Sequence, residues 1–167
     1  MTKYEELVSK AENRNINILE IDLGTDKKCG KYLCTKQGNF IIINSNISDC
    51  QKCEVLTEEL GHHYTSSGNI LDLTDIKNIK QEKIARRWGY EALIDLTDLI
   101  NAFNAGVRGR YELSKHLDVT EQFLQDTVDY YKEKYGTYKE IGKYIIYFSP
   151  CLGVMTKNEL KWINGIE

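Results

Sequence analysis

LTEELGHHYTS, residues Leu56 to Ser66, is the stretch on which the reading of this chain turns. Asn46 or Ser48 can cap a helix that carries Cys53, Leu56 and Leu60 on one side and runs to about Ser66, where Ser67-Gly68-Asn69 ends it. Residues four apart on an α-helix share a face, so Glu58 and His62 can grip one ion together. Glu59 points to a neighbouring strip of surface, and His63 reads as a supporting or structural residue rather than a ligand.

The order Glu58-Glu59-Leu60-Gly61-His62 departs by one residue from His-Glu-x-x-His, in which two imidazoles hold zinc beside a glutamate base. In a hydrolytic site of that kind the glutamate takes a proton from water on the ion and passes it to the leaving amine. Glu59 stands in that place. A catalytic zinc takes three protein ligands. Glu82, twenty positions after His62 and near the start of the next expected helix, is the best third; Glu91, farther along and on a different face, is the weaker alternative.

Glu58 is a legal ligand for zinc, but it changes the charge. Two carboxylates and a neutral imidazole cancel a divalent ion, whereas two imidazoles and one carboxylate leave it at +1. The expectation is a weaker Lewis acid, an ion less restricted to zinc with manganese or iron as alternatives, or a site that has lost catalysis.

Leu56-Thr57-Glu58-Glu59-Leu60-Gly61-His62-His63-Tyr64-Thr65, followed by Gln81-Glu82-Lys83-Ile84-Ala85-Arg86-Arg87-Trp88-Gly89-Tyr90-Glu91, resembles the ImmA/IrrE family of metallopeptidases of prophages and mobile elements. The likeness extends from the strand before the motif through Asn104-Ala105-Gly106-Val107-Arg108 to Tyr111-Glu112-Leu113-Ser114. It implies a zincin-like fold and a Glu-x-x-Ala pattern downstream of the motif helix, which Glu82 and Ala85 match. Carried over residue by residue, it makes Glu59 the general base and His62 and Glu82 metal ligands. It also implies a helix-turn-helix repressor as the protein substrate.

Around the motif the chain reads as one helix, about Tyr4 to Asn13, and a small sheet. The strands are Ile16 to Ile21, Lys31 to Cys34 and Phe40 to Asn44, with a turn at Lys36-Gln37-Gly38-Asn39. Zincins commonly hold an extended substrate as an added strand, and Phe40 to Asn44 is the expected edge. A helix of about Asn78 to Ile94 would bury Ile84, Trp88 and Leu93. Another, capped by Asp95 or Thr97, runs through Phe103. Two more follow between Tyr111 and Tyr135, the second capped at Thr120, and then a strand from Tyr144 to Phe148 stopped by Pro150.

The fold expected is α+β: a zincin-like metallopeptidase domain with a small N-terminal sheet, a metal-binding helix pair and a helical C-terminal half. Residues 1–105 would form the core and 106–167 a helical extension with a short C-terminal strand, packed on it.

At 167 residues with 41% hydrophobic side chains, the chain can bury a core of its own. A net charge of −3 gives no general attraction to polyanions. The scattered charges of MTKYEELVSKAEN and the lack of a long apolar run predict a cytoplasmic protein without a membrane span. Five cysteines, an odd number, suggest reduced thiols. Cys29, Cys34, Cys50 and Cys53 offer a rival four-thiolate zinc site, although Cys53 falls on the apolar side of the motif helix. Glu112 to Leu124 has the rhythm of a helix-turn-helix, yet Thr120 to Tyr131 contains no lysine or arginine, so direct nucleic-acid contact is not expected. His116 reads as a surface residue. The function expected is a metal-dependent endopeptidase with one divalent ion, zinc first. The alternative is a non-catalytic binding module of the same fold whose metal site is degenerate or structural.

Overall fold

A computed structural model describes residues 2–25, 29–65 and 75–159. It divides into two compact units, residues 1–93 and 94–167. The mixed α and β architecture agrees with the sequence reading at that level.

In the first unit, α1 (Lys3–Glu12) opens with a capping box in which Thr2 accepts from the Glu5 amide and Glu5 accepts from the Thr2 amide. It leads into β1 (Ile16–Ile21), β2 (Gly30–Thr35) and β3 (Gly38–Asn44). β3 pairs parallel to β1 and antiparallel to β2, so it lies in the middle of the sheet. This corrects the expected substrate edge at Phe40 to Asn44. The uninterrupted run Phe40-Ile41-Ile42-Ile43 fits a strand with neighbours on both sides. The edges, among the described residues, are β1 and β2.

Ile41 and Ile43 face inward and are wholly buried with Ile16, Cys53 and Leu56, the last two from α2 (Asp49–Thr65). Ser48 provides the cap of α2, exchanging bonds with Gln51, while Asn46 turns to Asp22. The expected break at Ser67-Gly68-Asn69 lies outside the described residues. α3 (Asp75–Leu93) packs along α2. Its contact stripe is Ala85, Gly89 and Leu93 rather than the expected Ile84, Trp88 and Leu93. Ile84 is 47% exposed, because the two helices meet on small residues and its side chain is turned about 100° from Ala85.

The second unit begins with α4 (Leu96–Asn104), capped by Asp95, which buries Leu99, Ile100 and Ala102. These side chains meet downstream elements, which groups α4 with residues 94–167, whereas the sequence placed it with residues 1–105. α5 (Arg110–Leu117) and α6 (Glu121–Tyr135) follow, with Asp118 in a left-handed conformation and Thr120 capping α6. Among the described residues the tail holds three strands, not one: β4 (Tyr138–Ile141), β5 (Tyr144–Tyr147) and β6 (Gly153–Thr156), antiparallel in that order. Leu124, Tyr131, Ile145, Ile146 and Phe148 form this unit's core, and the Tyr131 hydroxyl donates to the Ile94 carbonyl.

Candidate metal centre

The site is assembled within the first unit by the close approach of two helices. A Cβ placed on Gly61 would fall on the Ala85 carbonyl, and one on Gly89 would lie 3.4 Å from the Thr57 backbone. Gly61 against Ala85 and Thr57 against Gly89 is an antiparallel register, advancing one turn on each helix. Any larger residue at 61 would hold α2 and α3 apart.

This register sets two polar rungs across the helix pair. His62 Nε2 lies 3.5 Å from Glu82 Oε2, and one turn away Arg86 Nε donates to Glu58 Oε1 at 2.9 Å. One ligand atom from each of Glu58, His62 and Glu82 lies within 4.8 Å of the other two. Two donors on a tetrahedral zinc at about 2.0–2.2 Å stand roughly 3.4 Å apart, so the His62–Glu82 separation fits a shared ion. Two carboxylates and an imidazole are a chemically suitable set for a divalent cation. Bonding to Glu58 raises the Arg86 guanidinium's hold on its proton still further.

Glu91, the weaker third candidate, is exposed farther along α3 and does not join the group. The four cysteines do not form a comparable group among the described residues; Cys53 is sealed under α2 and Cys34 is exposed. The four-thiolate reading is therefore not supported.

Glu59 faces the sheet instead. Its Oε2 accepts from the Tyr32 amide of β2 at 2.6 Å, an N–H directed off the edge of the strand. The approach depends on Gly30, where a Cβ would collide with Val55 of α2. Burial raises the Glu59 carboxyl above the ordinary glutamate range, and Glu58 and Glu82 push the same way. The Tyr32 amide and His62 oppose that shift. A raised carboxyl beside a ligand cluster suits a group that must take up and release a proton.

His63, one turn after Glu59, sits 2.8 Å through Nδ1 from the Tyr32 hydroxyl, and that hydroxyl also donates to Asn39 Oδ1. Burial lowers its pKa, favouring the neutral ring. It is thus a structural partner of β2. Tyr32 and Arg86 were not singled out from sequence. The available signal for Arg86 was its spacing, four residues after Glu82, matching the four between Glu58 and His62. His116 is exposed on α5, in the other unit.

Among the described residues no helix is long and apolar enough to cross a membrane. Comparison with curated proteins and with solved structures finds no match. A family model does match: the M78 peptidase model, described as the IrrE N-terminal-like domain, covers residues 11–129. That is well over half of the chain, which belongs to this ImmA/IrrE peptidase family.

Proposed function

We propose that this member of the family is a metal-dependent endopeptidase whose ion, zinc first, is held by Glu58, His62 and Glu82 and whose general base is Glu59. The observation that carries the reading is the convergence of three donors on one face of the helix pair, with a buried, proton-retaining carboxyl on the adjoining face. A divalent ion bound there would supply Lewis acidity and make water easier to deprotonate, so that its oxygen could attack a peptide carbonyl. Glu59, oriented by the Tyr32 amide, takes the proton from that water and delivers it to the departing amine. The Tyr32 bond leaves Oε1 to do so.

An extended substrate would lie along β2, the edge strand beside Glu59, pairing with outward main-chain groups other than the Tyr32 N–H, which Glu59 holds. We take the substrate to be a helix-turn-helix repressor of a prophage or mobile element, which places the reaction in the cytoplasm. The α5–α6 pair, whose α6 carries no lysine or arginine before Lys132, would serve contact with protein rather than DNA. A second reading, a non-catalytic binding module, draws on the Arg86–Glu58 pair, which satisfies the first ligand without an ion.

Metal analysis of protein purified without chelator, together with cleavage of the cognate repressor, tests the proposal. One equivalent of ion is expected in the native protein and in Glu59→Gln, with cleavage reduced at least about a hundredfold in that variant. Absence of stoichiometric ion, or full cleavage by Glu59→Gln, overturns it.

A further inference from the structure

We propose that Arg86 is a positioning residue that compensates for the glutamate at position 58, returning the charge of the metal centre to that of a site with two imidazoles and one carboxylate. This inference rests on the proposed metal reading and extends it to a residue outside the donor set.

A ladder of four side chains spans α2 and α3. Glu58 and His62 are one turn apart, Glu82 and Arg86 are one turn apart, and the antiparallel register sets 62 against 82 and 58 against 86. The residue facing the unusual ligand is thus the arginine. Its Nε donates to Oε1 of Glu58 at 2.9 Å, which leaves Oε2 of the same carboxylate for an ion. A carboxylate gripped on one oxygen presents the other in a fixed direction.

The charges point the same way. A divalent ion with Glu58, Glu82 and a neutral His62 sums to zero, and the always-charged guanidinium brings it to +1. That equals an ion with two neutral imidazoles and one carboxylate. Glu58 and Arg86 together therefore stand in for one histidine. Neither half is equivalent to it alone: a histidine at 58 with Arg86 retained leaves +2 around the ion, and Glu58 without Arg86 leaves zero. Arg86 is 58% exposed, so it can be replaced without opening the core.

The test is a double-substitution cycle, with zinc affinity of the metal-free protein measured by competition with a chromophoric chelator. Arg86→Gln should tighten binding, and Glu58→His with Arg86 in place should weaken it, each by about tenfold or more, because a positive charge within a few ångströms of the ion is removed or left unopposed. Glu58→His with Arg86→Gln should bind within a few-fold of the native protein. Arg86→Lys keeps the charge and should also remain within a few-fold. Opposite effects of the two single substitutions that cancel in the double variant support the proposal. Unchanged or weaker binding by Arg86→Gln, or tighter binding by Glu58→His alone, overturns it while leaving the metal reading standing. No zinc binding by the native protein, with its circular dichroism intact, overturns both.

Discussion

Helix α2 carries the same two residue types twice, one position out of step: Glu58 with His62, and Glu59 with His63. Their surroundings differ throughout. The first pair faces α3 and meets charge, Arg86 and Glu82. The second faces β2 and meets the uncharged Tyr32, through an amide for the glutamate and a hydroxyl for the histidine. A step of one residue turns a side chain by about 100°, enough to exchange one wall for another. Role on this helix is thus assigned by the opposing element and not by residue type. A face of paired charges suits an ion, and a buried face with neutral donors suits a carboxyl that keeps its proton longer than usual.

The strongest way to break the contrast is to destroy one face and keep the other. Gly61→Leu places a side chain against the Ala85 backbone, which has no flexible end to yield. Overpacking of this sort costs about 1–3 kcal/mol, and the upper end is expected here. Urea denaturation should show that loss and metal analysis a loss of the ion; retention of both would mean the close approach of α2 and α3 is dispensable.

A smaller effect separates the two glutamates by pH. Glu59 has its carboxyl raised in the fold, chiefly by burial, so its protonated form is favoured on folding. That contribution is complete below the unfolded glutamate pKa and is lost as pH rises through the raised value. In metal-free protein, Glu59→Gln should therefore gain stability relative to the native chain between pH 4 and pH 7.5. Thermal melts at both ends of that range check the sign, and an unchanged difference would show that the site is not desolvated.

The smallest effect sharpens the independence of the faces. Tyr32→Phe removes the hydroxyl that joins His63 and Asn39 while keeping the amide that holds Glu59. A cost of about 0.5–1.5 kcal/mol is expected from chemical denaturation, with zinc affinity unchanged. A fall in affinity would show the two faces to be coupled.

Much of this was legible in the chain because it is local. Helical periodicity marked α1 to α6, and Thr120 announced its cap. Spacing alone brought Glu58 and His62 to one face. β4 and β6 were missed because four residues such as Tyr138-Lys139-Glu140-Ile141 are too few to show an alternation and lack the apolar run that marks β5. The order of the strands is non-local: nothing within Phe40 to Asn44 states how many neighbours it has, although its unbroken apolar run favoured two. Arg86 was passed over because an arginine on an exposed helix face is ordinarily solvated. Only the packing of Gly61 on Ala85 gives it Glu58 as a counterpart.

The bond between Glu59 and the Tyr32 amide has a bearing on how such a site can change over generations. Every residue type except proline supplies that N–H, so substitutions of the side chain at position 32 leave the donor in place. The ligand set, in contrast, is made entirely of side chains and is open to replacement one codon at a time. A ligand at position 58 can therefore be exchanged while the neighbouring carboxyl keeps its main-chain anchor.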